Sequence, residues 1–290
     1  MNIFKQNILE KVAAEYPTLN VAIHDGGFHS DDVFSVCLLR RLCAEAGVNL
    51  NVVRTRDCEK LASADMRVDV GGKHCPETLD FDHHQRNDNT LEQENGIKHA
   101  AVGLLAQWCM EENFLKVFRE KYIYGLEYQD NNGKSHERYN SVGFCIQPFL
   151  PVYGQKENLD ELFWQAVAVA EVIFDRAIKT VEGILKCEEE LPEATEEVLA
   201  DGKILVLNRF MPLQPFLHPE LCFTIVRKPK DAGFTFSGMN GHLIKPEWRG
   251  YKGEDLTKAC GFEGEFTHPA GFTGTMKTLE GAKALCLASL

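Results

Sequence analysis

Asn20-Val-Ala-Ile-His24-Asp25-Gly26-Gly27-Phe28-His29-Ser30-Asp31-Asp32 reads as a buried strand that runs into a Gly-Gly turn and then into a helix. From Val33 to Ala46 the apolar residues Val33, Val36, Cys37, Leu39 and Leu42 recur at helical spacing, and Gly47 is placed to close the last turn. Asn51–Thr55, Arg67–Val70 (closed by Gly71-Gly72) and Thr78–Asp82 read as further strands. Strands and helices alternating at this spacing predict an α/β fold built on a mostly parallel sheet.

Ile97 to Glu127 has a helical period, and Asp130-Asn-Asn-Gly133 reads as a turn. Leu159 to Cys187 is the longest predicted helix, with Asn158 as N-cap and Asp160 and Glu161 in its first turn. The character changes at Glu188-Glu-Glu190. Strands are expected at Lys203–Leu207 and Cys222–Arg227, followed by an aromatic-rich Phe234-Thr-Phe236, a glycine-rich tail from Gly261 and a helix over Thr278–Leu287. The expected division is a catalytic domain over 1–187 and a smaller α/β domain over 188–290.

Composition narrows the function classes. With 290 residues and 44% hydrophobic content, the chain can bury a sizeable core. Its net charge of −12 argues against a protein that coats nucleic acid, since such affinity comes from neutralised phosphates. The ten cysteines include no Cys-x-x-Cys pair and sit mostly in apolar segments, as reduced core thiols do. No signal peptide, transit peptide or membrane span is recognised, so a cytoplasmic location is expected.

The ionisable residues fall at predicted strand ends. His24 ends the first strand, Asp69 the third and Asp82-His83-His84 the fourth, while His29 and Asp31 lie in the first strand-to-helix loop. Ligands of open α/β sheets bind outside the carboxyl ends of the strands, so these side chains are expected to converge. Mixed imidazole and carboxylate donors suit manganese, iron or zinc, and there are too many for one tetrahedral ion. Two divalent metals sharing a bridging carboxylate would activate a water and stabilise phosphoryl transfer. Of Asp31 and Asp32, one would ligate and the other cap the helix.

His24-x-Gly26-x-Phe28-His29-x-Asp31-Asp32, Asp69-Val-Gly-Gly72 and Phe81-Asp82-His83-His84-Gln85 resemble the melanocyte-proliferating-gene (Myg) family of metal-dependent hydrolases. That family is related to the DHH phosphoesterases, which include RecJ and manganese pyrophosphatases. The resemblance continues at Asp130-Asn131-Asn132-Gly133, Pro246–Gly250 and Phe266–Gly274. It implies a DHH-like N-terminal domain, with His24, His29, Asp31, Asp69, His83 and Asp130 as metal ligands and Asp69 as the bridge. Alignment across the Gly-Gly turn leaves Asp25 as an alternative to His24. Asp82 would orient an imidazole, and His84 would touch the phosphate or assist the leaving group. Where this chain has His29, the wider DHH pattern has an aspartate, so one negative charge is absent here.

His268 and Gly271 resemble the glycine-rich substrate-binding loop that accompanies DHH domains, with Arg249, Lys277 and Arg227 as supporting cations. The resemblance implies a two-metal phosphodiesterase, a 3′–5′ RNA exonuclease acting on short or single-stranded RNA. Manganese is the expected metal, with magnesium or another transition metal as alternatives. A phosphohydrolase of small nucleotides or pyrophosphate is the second reading, and a non-catalytic metal-binding regulator the third.

Overall fold

Strand β1 (Thr18–Ile23) lies between β2 (Asn49–Arg54) and β3 (Met66–Val68), parallel to both. β5 (Asp80–Phe81) continues the parallel array beyond β3, and β4 (His74–Cys75) closes the edge antiparallel, giving the order β2-β1-β3-β5-β4. The protein is thus α/β with a mostly parallel first sheet, here described from a computed structural model over residues 2–85 and 92–290. Leu19, Val21, Ala22 and Ile23 of β1 are all buried, as a sheet covered on both faces requires.

The strands end in register. Ile23 pairs with Val68, and Val68 with Phe81, so His24, Asp69 and Asp82 are the next residues on three adjacent strands. Adjacent strands are about 4.8 Å apart, so this register alone brings the three side chains onto one rim.

Helix α1 (Gln6–Glu15) precedes the sheet, and α2 (Ser30–Ala46) follows β1. The Asp32 carboxylate accepts the His29 N–H at 3.0 Å at the start of α2, and Gly47 in the left-handed region (φ 71°) ends it. After the short α3 (Cys58–Ser63) come α4 (Ala101–Cys109), α5 (Glu112–Phe118) and α6 (Tyr124–Asn132), the last two joined by a π-helical turn over Arg119–Ile123. Asp130 therefore lies in helix, not in the expected turn. The Asp-Asn-Asn-Gly run is a helix terminus, in which Gly133 (φ 65°) is the left-handed cap and donates to Gln129 O at 2.8 Å.

The chain divides into two compact units, Met1–Glu182 and Gly183–Leu290. The division falls inside α7 (Leu159–Ala194), which runs seven residues beyond the expected end at Cys187. Glutamate is a good helix former, and Glu188 and Glu190 gain partners in His218 (2.8 Å) and Arg209 (3.2 Å). The acidic run therefore prolongs the helix.

In the second unit six strands follow the order β10-β11-β9-β8-β7-β6. They are β6 (Thr195–Leu199), β7 (Ile204–Leu207), β8 (Phe223–Arg227), β9 (Phe234–Gly238), β10 (Gly264–Thr267) and β11 (Thr273–Met276), and only β7 and β8 pair in parallel. α8 (Gly253–Cys260) and α9 (Leu279–Leu287) complete a core that contains Phe223, Phe236, Leu256 and Leu285. The glycine-rich tail forms two strands because its glycines make room for neighbours. A Cβ on Gly274 would meet the Phe236 ring, and one on Gly264 would meet Leu256. Among the described residues, no helix is long and apolar enough to cross a membrane.

The loop after β1 is anchored from α7. Phe163 meets Phe28 edge-on at 5.6 Å, and the Arg54 guanidinium lies 4.5 Å from the Phe163 ring centre. Arg54 donates to Gly26 O at 2.7 Å and pairs with Asp160. Phe163→Ala should therefore destabilise the first unit by about 3–5 kcal/mol, read as a lower denaturant midpoint by circular dichroism.

Candidate metal centre

Asp69 is the centre of the rim. Its backbone is left-handed (φ 54°), costly for an aspartate, and its N–H donates the terminal ladder bond to Phe81 O at 3.0 Å. The chain then turns through Gly71 (φ 100°) and Gly72 (φ 69°). Asp69 Oδ2 lies 3.2 Å from His24 Nε2, while Oδ1 lies 3.3 Å from His83 Nε2 and 3.5 Å from His84 Nδ1. Its two oxygens thus face different imidazoles.

Asp32 Oδ2 approaches His24 Nε2 at 2.9 Å. On the other side, His83 Nε2 sits 3.3 Å from Asp130 Oδ2 and 3.9 Å from Asp31 Oδ2. Among the described residues three groups of candidate donors result, namely His24–Asp32–Asp69, Asp69–His83–His84 and Asp31–His83–Asp130. Asp69 belongs to two of them and so does His83.

The donors fit divalent cations on two grounds. Asp31, Asp32, Asp69 and Asp130 crowd against two buried imidazoles, so that among the described residues buried carboxylates outnumber the buried rings they face by two. Burying such an excess is costly unless cations offset it. Asp32 Oδ2 and Asp69 Oδ1 are also buried without a hydrogen bond of acceptable geometry, despite imidazole nitrogens 2.9–3.5 Å away. Donor atoms that crowd together in this way suit a shared cation.

The remaining expected residues are distributed unevenly. Both Asp31 and Asp32 have cap roles: Asp31 accepts the N–H groups of Ala101 (2.9 Å) and Val102 (2.8 Å), which open α4. Asp82 accepts Gly72 N–H at 2.5 Å and faces His84 Nδ1 at 2.7 Å, so it orients that ring, whose side chain is 62% exposed. His29 is not among the three donor groups; its side chain is 69% exposed and its nearest acid is Asp130 Oδ1 at 3.7 Å. A helix that begins at Ser30 leaves this ring at the mouth rather than inside. Asp25 turns outward to Arg56 at 2.9 Å, away from the position held by His24. In sequence Asp32 is only one of two interchangeable acids, because adjacent aspartates at a helix start look alike until the helix fixes their directions.

In the second unit His268 and Gly271 share the loop between β10 and β11, and Arg249, from the segment before α8, lies against it. Gly271 N–H donates to His268 O (2.8 Å), the His268 ring lies tilted against Phe272 with centres 4.3 Å apart, and a Cβ on Gly271 would press on Arg249. Arg249 Nε donates to Ile244 O at 2.7 Å. Arg227 and Lys277 are not with them. Arg227 pairs with Phe234, which opposes Met276, whereas the His268 loop adjoins Gly238 and Thr273, a strand length of about 13 Å away. The five residues expected to act together are thus split between the two ends of one sheet. Lys277 lies 3.8 Å from Glu263 instead.

Burial opposes protonation of His24, but Asp32 and Asp69 outweigh it and raise this histidine to about 10. Burial likewise opposes a rise at His83, which Asp69, Asp31 and Asp130 nevertheless lift to about 9. Burial pushes Asp69 up, yet His24 and His83 hold it well below the ordinary carboxylate range. Asp31 and Asp130 are raised, first by burial and then by neighbouring carboxylates. Stability from the two histidines is complete below their ordinary value of 6.5 and is lost as pH rises through about 9 and about 10. In chelator, the melting temperature should therefore fall between about pH 7 and about pH 10; a flat or rising profile by scanning fluorimetry would contradict this.

Residues 20–110 and 236–290 match the family model MYG1_exonuc, described as Uncharacterised protein family (UPF0160). A MYG1 protein of Schizosaccharomyces pombe is 28% identical over 310 residues, covering 91% of this chain and 95% of that one. The Homo sapiens protein named MYG1 exonuclease is 28% identical over 323 residues, covering 93% and 85%. A MYG1 protein of Chlamydia trachomatis is 25% identical over 284 residues, covering 90% and 93%. A solved structure of RecJ with Mg2+ from Thermus thermophilus aligns at a TM-score of 0.24 and 11% identity, over 98% of this chain and 51% of that chain. At that score no fold assignment rests on it.

Proposed function

Since the chain belongs to the MYG1_exonuc family, we infer that it is a metal-dependent phosphodiesterase that removes nucleotides from the ends of RNA. The observation that carries this reading is Asp69, whose two oxygens face separate imidazole-carboxylate sets, as a carboxylate shared by two cations must. The relatives named MYG1 exonuclease support the nuclease class.

His24 and Asp32 would hold one cation, and Asp31, His83 and Asp130 the other, with Asp69 between them and His29 joining from the mouth. Two divalent ions, manganese by the mixed donor set, would supply Lewis acidity that activates water at neutral pH and stabilises charge on the phosphate. His84 is the proton carrier of the reading. Asp82 fixes its Nδ1 side and, as the largest influence, raises its affinity for a proton, so the exposed ring can donate to the leaving oxygen. The net charge of −12 favours short, single-stranded substrates over long duplexes. His268, Gly271 and Arg249 form the proposed phosphate-binding loop of the second unit. The ten free cysteines, six of them buried, support the reading of a cytoplasmic protein.

With manganese, RNA labelled at the 5′ end should shorten progressively while a 3′ label is released at once as mononucleotide. Release of the 5′ label first would reverse the polarity, and intact RNA beside bound metal would end the nuclease reading. Asp69→Asn should abolish degradation and metal binding together. His84→Gln should lower kcat about 10²–10⁴-fold while manganese affinity by calorimetry stays as in wild type.

A further inference from the structure

We propose that Glu127 and His99, which no donor group includes, are positioning residues that set the spacing between Asp31 and Asp130 and hence the affinity for the second cation. The inference rests on the metal reading above and extends it to residues away from the cluster.

Glu127 is fully buried, and both of its oxygens are taken. His99 Nδ1 donates to Oε1 at 2.8 Å and Gln93 Nε2 donates to Oε2 at 2.7 Å. Gly103 completes the cradle, because a Cβ there would overlap this carboxylate. Asn131 Nδ2 adds bonds to Lys98 O (3.1 Å) and Glu127 O (2.9 Å). The segment from Lys98 to Gly103 is therefore tied to α6, one turn before Asp130.

The same segment is tied to the other side of the cluster. Two and three residues beyond His99, the N–H groups of Ala101 and Val102 bond both oxygens of Asp31. Asp31 and Asp130 flank His83 at 3.9 and 3.3 Å, and no direct bond between them sets their separation. One short stretch of backbone thus grips the carboxylate of α2 and the helix of Asp130. A buried polar pair gains little stability over apolar residues of the same volume. Its use here is geometric: it fixes how far α6 stands from the first turn of α4. Partners of this kind behind metal ligands are worth about 10–100-fold in affinity.

The test is calorimetric titration of the metal-free full chain with manganese, using wild type, Glu127→Ala, and a Glu127→Leu/His99→Leu double variant that fills the space with apolar groups and keeps the fold. Ile8→Ala, a buried site on α1, controls for general loss of stability. The expected result is manganese affinity at least about 10-fold lower in both Glu127 variants, with the double variant melting near wild type in chelator and Ile8→Ala binding as wild type does. Wild-type affinity in the double variant, or an equal loss in Ile8→Ala, would overturn the positioning role while leaving the metal reading intact. Wild-type protein that takes up no manganese would overturn the metal reading and this inference with it.

Discussion

Three parallel strands that stop in register impose the rest of this molecule's arrangement. Because Ile23, Val68 and Phe81 lie side by side, the residues after them have no choice but to share one rim. The last residue of each strand is buried and apolar, and the residue immediately after it is ionisable. Parallel strands need crossover connections, and one of these is α2, whose first turn brings Asp31 and Asp32 to the same rim.

The density of carboxylates that follows is a liability for folding. Asp31 and Asp32 relieve part of it by capping helices, each oxygen of Asp31 taking one N–H of α4. Among the described residues Asp69 and Asp130 have no such backbone partners, and they lean on His24 and His83. The crowding that remains suits the cluster to cations, and the left-handed backbone at Asp69 is a local cost consistent with a functional position. The polar network behind it, through His99 and Glu127, carries the rigidity that a set of mutually repelling acids cannot provide for itself.

Much of this is legible in sequence. The apolar run before His24 and the apolar–polar alternation before Asp69 and Asp82 mark strands, and the Gly-Gly pairs after His24 and Asp69 mark turns. What misleads are residues with two local meanings. Asp-Asn-Asn-Gly serves equally as a turn and as a helix terminus, so sequence alone puts Asp130 in a loop although it sits on α6. Glycines at 264 and 274 disguise two strands, since the need for a missing side chain lies in the partners Leu256 and Phe236. Arg227 and Lys277 group with His268 by charge alone, whereas strand register carries them to the opposite end of the sheet.

The sequence by itself determined the α/β class, the strand ends and the chemical type of the cluster, because each depends on residues a few positions apart. Only the tertiary structure decided which acids face which imidazoles, that His29 waits at the mouth, and that Glu127 and His99 stand behind Asp130. Those relations join segments up to a hundred residues apart through strand register and helix packing. Their directions follow from backbone geometry that no local pattern encodes.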